Sequence, residues 1–304
     1  LLHIGELRLL LCIITSEEAS MRYFVRASHL ISLALLLAAQ GFSQSTIAVN
    51  QSGIITTYAK LRGFISGMAA TTQPVGSVWG IAVAQDRRGG FYIATPEDNR
   101  LYRVFGDGRI VIAAGSPDGY SGESGDGGPA NLAMLNGPYG VATDSKGNVF
   151  IADTYNGRIR RIDTNGTITS YLDIPYPRSL AMDSADALYI GVLPSRVVKI
   201  TAEGVLTPVA GTGISGFAGD GGPAVAALIS DPPGGLALDG AGNLYIADYS
   251  NQRIRKVSPN GIISTVAGNG TTPVGPYIPK NDVPATSVPL FYPVGVTVDA
   301  SGTL

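Results

Sequence analysis

Gly137 to Leu172 reads G-P-Y-G-V-A-T-D-S-K-G-N-V-F-I-A-D-T-Y-N-G-R-I-R-R-I-D-T-N-G-T-I-T-S-Y-L. Four short runs rich in β-branched and aromatic residues stand out: Gly140–Thr143, Val149–Asp153, Arg158–Ile162 and Thr167–Leu172. The joints Asp144 to Asn148, Asp153 to Gly157 and Asp163 to Gly166 carry Asp, Asn and Gly. These residues supply left-handed backbone or a local side-chain hydrogen bond to a tight turn. Four strands joined by such turns form an antiparallel meander, too small to stand alone.

Working outward, the same text returns from Gly235 to Ala267 without a gap: Gly140 becomes Gly235, Asp144 Asp239, Asn148 Asn243, Asp153 Asp248, Asn156 Asn251, Arg158 Arg253 and Gly166 Gly261. An internal repeat of this length decides the architecture. Weaker copies begin at Gly80 and Ser179, and a fifth opens at Tyr292-Pro-Val-Gly295 and runs to Leu304. The sequence therefore predicts blades over 77–115, 137–172, 176–210 and 232–268, with a partial blade over 292–304.

The pattern P-x-G-[VL]-A-x-D-x-x-G-N-[VL]-[FY]-I-A-D-x-x-N-x-R-I-R-[RK], met nearly in full by the copies at Gly137 and Gly235, resembles the NHL repeat. The resemblance implies an all-β propeller of four-stranded antiparallel blades, six when complete, of the secreted bacterial type. It also implies that the chain is a fragment of a longer ring. Such folds host binding modules, lyases and lactonases alike, so the resemblance specifies fold and leaves function open.

The amino end reads differently. Met21-Arg-Tyr-Phe-Val-Arg26 precedes the apolar run Leu30–Ala39 and small residues at Gly41 and Ser43. That is the form of a secretory signal peptide over 21–43, with an apolar core too short for the roughly 20 residues of a spanning helix. Residues 1–20 then read as upstream, non-native translation, and 44–304 as the propeller, placed outside the cell as a secreted, periplasmic or cell-surface protein. Ser52–Ala59 matches Asn260–Ala267, the fourth strand of the copy at Gly235, so 53–59 is expected to close the last blade.

Removing the leader removes Cys12, His3 and His29, which are all the cysteine and histidine in the 304 residues. No disulfide can form in the remainder. A formal net charge of −2 gives no basic footprint for nucleic acid. The resemblance extends to an amidating lyase and to streptogramin lyases, both of which depend on histidine, and the mature chain has none. A lactonase-like or other metal-assisted enzyme could use oxygen ligands around a divalent cation. Glu97, Glu123 and Glu203 are the glutamates left for it and form no evident cluster.

Two long inserts, Gly115 to Pro138 and Gly211 to Pro232, share Gly-Asp-Gly-Gly-Pro-Ala around Asp126 and Asp220. They are expected to lead into one helical turn with Pro at its first position, the following Ala and Leu or Met packing on a blade. Asp282-Val-Pro-Ala285 is a third version without glycines. Asp126 or Asp220 could hold Ca²⁺ with backbone oxygens, but neither lies in a dense acidic loop, so no cofactor or metal site is assigned.

If each first strand runs from top to bottom, the inserts and the Asp153–Gly157 and Asp248–Gln252 loops share the top rim. Asp144, Asp153, Asn156, Arg158, Asp239, Asp248, Asn251 and Arg253 recur from blade to blade, as a turn-stabilising network must and a catalytic set need not. Trp79, Tyr120, Tyr139, Tyr155, Phe217, Tyr249 and Tyr277 lie in top loops or just before first strands. Aromatic rings there can stack on a sugar or anchor a peptide, and can equally pack an insert on its blade. The resulting expectation is a binding scaffold for protein, peptide or carbohydrate at the top face, a monomer or part of a larger surface protein, with a propeller enzyme as the alternative.

Overall fold

The computed structural model describes residues 46–49, 55–58, 67–73, 75–84, 89–231, 233–272, 283–299 and 301–304. The expected signal peptide, Tyr277 and Asp282 lie outside them. Among the described residues, no helix is long and apolar enough to cross a membrane.

The chain divides into Leu1–Phe64 and Ile65–Leu304. In the first unit β1 (Thr46–Val49) and β2 (Ile55–Tyr58) form an antiparallel hairpin with Val49 opposite Ile55. The last sheet described below pairs Val257 with Ile263 in the same register. The stretch matched to a fourth strand is therefore paired with the residues before it.

The second unit holds four four-stranded antiparallel sheets, each a meander in chain order. The first is β3 (Gly80–Val83), β4 (Phe91–Thr95), β5 (Arg100–Val104) and β6 (Ile110–Ala114). The second is β7 (Pro138–Thr143), β8 (Val149–Asp153), β9 (Arg158–Ile162) and β10 (Ile168–Asp173). The third is β11 (Pro177–Met182), β12 (Leu188–Val192), β13 (Arg196–Ile200) and β14 (Leu206–Ala210). The fourth is β15 (Leu236–Leu238), β16 (Leu244–Asp248), β17 (Arg253–Val257) and β18 (Ile263–Ala267). These are propeller blades.

Apolar side chains fill the spaces between neighbouring blades: Leu101, Ile151 and Ile168 between the first and second, Ile159, Leu188 and Ile190 between the second and third, Val197, Ile246 and Ile263 between the third and fourth. Each fully buried side chain of this size contributes about 1.5–3 kcal/mol, which replaces the cross-links the chain cannot make. Bottom turns repeat one device. Asp144 Oδ1 accepts the amides of Lys146 and Asn148 at 3.1 and 2.8 Å, and Asp239 Oδ1 those of Ala241 and Asn243 at 3.0 and 2.8 Å.

First strands lie side by side because glycine lets them. A Cβ on Gly80 would stand 2.6 Å from the Tyr139 carbonyl oxygen, and one on Gly140 2.4 Å from that of Arg178. The Gly-Asp-Gly-Gly-Pro inserts do enter one helical turn, a 3₁₀ turn at Ala130–Leu132 and at Ala224–Ala226. Contrary to expectation, proline is the residue before that turn: Pro129 and Pro223 are extended, with ψ of 128° and 126°. Ala133 and Leu135, and Ala227 and Ile229, carry the packing and are fully buried.

Candidate functional site

Polar side chains concentrate in two places, beneath the inserts and at the entrance to the central channel. Beneath the first insert, Asp153 Oδ1 accepts the Asn136 amide at 2.7 Å, and Asn156 Nδ2 donates to Asp153 Oδ2 and to the Gly122 carbonyl at 2.8 and 2.7 Å. Arg160, with no exposed side-chain surface, reaches Asp126 at 2.6 Å, Asp153 at 3.5 Å and the Met134 carbonyl at 3.2 Å. The second insert repeats this with Asp248, Asn251, Arg255 and Asp220: Arg255 lies 2.7 Å from Asp220 and 3.1 Å from Asp248.

Arg158 and Arg253, named from the sequence with this network, sit at its rim. Arg158 bonds Glu123 at 2.9 Å, and Arg253 bonds the Asn269 carbonyl at 2.9 Å. The buried partners Arg160 and Arg255 were missed. In R-I-R both arginines share one face of the strand, and the alternation cannot say which one the insert covers.

Burial works to raise Asp126, but the Ser170 hydroxyl and the Arg160 cation outweigh it and hold the carboxyl below its usual range. Both Asp126 oxygens are engaged, by Arg160 and by Ser170 at 2.6 Å each. Asp220 likewise takes Arg255 on one oxygen and Thr265 on the other. Among the described residues, no group of three or more His, Cys, Asp or Glu is placed to hold a metal ion. For Asp153 burial dominates and pushes the carboxyl up, against the pull of Asn136, Asn156 and Arg160.

At the axis, the first strands and residues 294–298 line a channel of about 990 Å³. Its entrance is set by the residue preceding each inner-strand glycine or its equivalent. Gly80, Gly140 and Ser179 face Ala94, Ala152 and Gly191 across their sheets, and Gly235 accepts the Ala247 amide. The preceding residues are Trp79, Tyr139, Arg178 and Gly234, with Val294 before Gly295 in the fifth copy.

Tyr139 and Arg178 are the extra residues of β-bulges, unpaired between Pro138 and Gly140 and between Pro177 and Ser179. Bulges re-aim side chains, and here they bring two neighbours into contact. Trp79 and Tyr139 meet edge to face at 5.3 Å. The Arg178 guanidinium lies 4.1 Å from the Tyr139 ring centre and 5.5 Å from that of Trp79. Tyr155, from the loop after β8, adds a ring at 6.0 Å and a hydroxyl contact of 3.1 Å to Tyr139. Burial first, and that hydroxyl second, push the Tyr139 phenol up.

Of the aromatic residues named from sequence, Trp79, Tyr139 and Tyr155 thus form one cluster. Tyr249 lines the channel and stacks on Tyr292 at 5.1 Å. Phe217 packs under Arg253 and Arg255 at 3.7 and 4.8 Å and does not line the channel. Tyr120 is 64% exposed and does not line it either. Sequence reasoning missed Arg178 because its copy reads P-R-S-L where the best copies carry glycine. The available signal was position: the slot before the inner-strand glycine changes identity in every copy.

A family model described as Teneurin NHL domain matches residues 110–188 and 209–302. Teneurin-1 of Homo sapiens is 31% identical over 192 residues, covering 57% of this chain and 7% of that protein. Teneurin-3 of Danio rerio is 34% identical over 192 residues with the same coverages. The chain thus spans about 7% of the length of these curated relatives. Among solved structures, an auxiliary nutrient binding protein from Bacteroides thetaiotaomicron superposes with a TM-score of 0.50 at 14% identity, over 86% of this chain and 80% of that one. That likeness is one of fold.

Proposed function

This chain belongs to the teneurin NHL domain family, and on that premise we propose that it is a binding scaffold, acting outside the cell through the top face of its propeller. One observation carries the reading: Trp79, Tyr139, Tyr155 and Arg178, from three blades, converge at the entrance of a channel large enough for a small ligand or a chain end. Placement outside the cell is supported by the leader-like stretch at 21–43.

Rigid aromatic rings with few torsions bind at low entropic cost, and they cluster where binding energy is concentrated. The reading is tested by probing peptide and glycan arrays with the intact chain and with Trp79→Ala, Tyr139→Ala and Phe217→Ala. The expected outcome is a ligand whose binding falls about tenfold or more in the first two variants and is unchanged in the third. Binding that survives both entrance variants would place the functional surface elsewhere.

A further inference from the structure

Among the described residues, the side chains lining the channel are Gly, Ala, Val, Leu, Ile, Met, Pro, Ser, Thr, Tyr and Trp, with a single charged exception, Arg178. Among the described residues, no carboxylate lies within ion-pair distance of that guanidinium. Its neighbours are the faces of Tyr139 and Trp79, which hold a cation in place without neutralising it. A planar guanidinium fixed by stacking presents its N–H edge to a carboxylate in the geometry such pairs favour.

One cation above an otherwise uncharged and mainly apolar lining sets the charge of the ligand. A polyanion would bring more charge than a single arginine answers. A neutral sugar would leave Arg178 unpaired and would bury its hydroxyls against Leu180, Leu236 and Val296. What fits is a molecule with one carboxylate and an apolar body.

From this we infer that the channel entrance captures an amphipathic monocarboxylate, its carboxylate on Arg178 between Trp79 and Tyr139 and its apolar end inside the channel. The inference rests on the scaffold reading and narrows it to one ligand chemistry. Two sources supply that chemistry: a peptide carboxy terminus ending in an apolar residue, and a free acyl-chain acid.

Trp79 is the single tryptophan of the chain, so intrinsic fluorescence reads the site directly. The intact chain is titrated with decanoate and decanol, and with an N-acetylated tetrapeptide ending in Leu-Phe as free acid and as amide. The expected result is a saturable Trp79 response to at least one acid, weaker by about tenfold or more for its neutral partner. Arg178→Gln should abolish that preference while leaving the far-UV circular dichroism unchanged. A response to the peptide acid alone assigns the ligand to peptide termini, and a response to decanoate alone assigns it to acyl chains. Equal binding of acid and neutral forms overturns the carboxylate inference and leaves the scaffold reading standing. Silence towards all four probes overturns the inference, and the array experiment then decides the scaffold reading separately.

Discussion

The polar network beneath the inserts, in the second and fourth blades, and the cluster at the channel entrance, drawn from the first three, are built on opposite rules. Under the inserts the same residues recur, Asp153 with Arg160 and Asp248 with Arg255, and the geometry recurs with them. At the entrance the backbone slot recurs while its occupant changes from Trp79 to Tyr139 to Arg178 to Gly234. Repetition of identity marks what every such blade needs to fold. Repetition of position with changing identity marks what the ring needs once.

The third blade makes the first half of that statement concrete. It is reached through the short link Asp173 to Pro177, with no Gly-Asp-Gly-Gly insert, and where the second blade has Asp153 and Arg160 it has Val192 and Val198. In the first blade the same positions hold Thr95 and Tyr102. Burial of Tyr102 raises its phenol to about 12, so this position stays neutral at physiological pH. The buried arginine accompanies the Asp-bearing insert and disappears with it. Its role is to fasten the insert.

Breaking the network should give the largest effect. Arg160→Ala leaves Asp153 buried with its cationic partner gone, and a loss of about 3–5 kcal/mol in urea unfolding is expected, enough to threaten folding of the second blade. Gly140→Ala comes next. Its Cβ would meet the Arg178 carbonyl oxygen at 2.4 Å, forcing two first strands apart, at a cost of about 1–3 kcal/mol and with a changed Trp79 emission.

A smaller effect, with a distinctive pH dependence, is expected from Asp126→Asn. Asp126 titrates below its unfolded value, so its contribution is present above the unfolded pKa and is lost as pH falls through the folded one. The variant should lose about 1 kcal/mol near neutrality, discounted for the exposure of the carboxylate, and show a flatter acid limb. Asp153 has the opposite sign: its folded value is raised, so ionising it costs stability as pH rises through that value. The smallest effect belongs to Tyr155→Phe. It removes an exposed hydroxyl contact and should change stability by no more than about 0.5 kcal/mol, which thermal unfolding would show.

The blades were legible from Gly137–Leu172 and its copy because turn chemistry and strand alternation act within a few residues. The two halves of the candidate site were not equally legible. Trp79, Tyr139 and Tyr155 could be named because aromatic residues at loop positions are conspicuous. Their assembly depends on two β-bulges and on glycines at the contact between different blades, which no local pattern records. Phe217 looked equivalent to them, yet its ring packs against Arg253 and Arg255 and does not line the channel, a contact made across strands and an insert. Arg160 and Arg255 were hidden for the same reason: their burial comes from an insert about 35 positions away.

The most direct test applies one substitution to both arginines. Urea unfolding of Arg160→Gln and Arg178→Gln should give a strongly lowered midpoint for the first and a midpoint near that of the parent for the second. An Arg178→Gln midpoint lowered as far as that of Arg160→Gln would make the entrance one more fold-building network and contradict its assignment as the binding site.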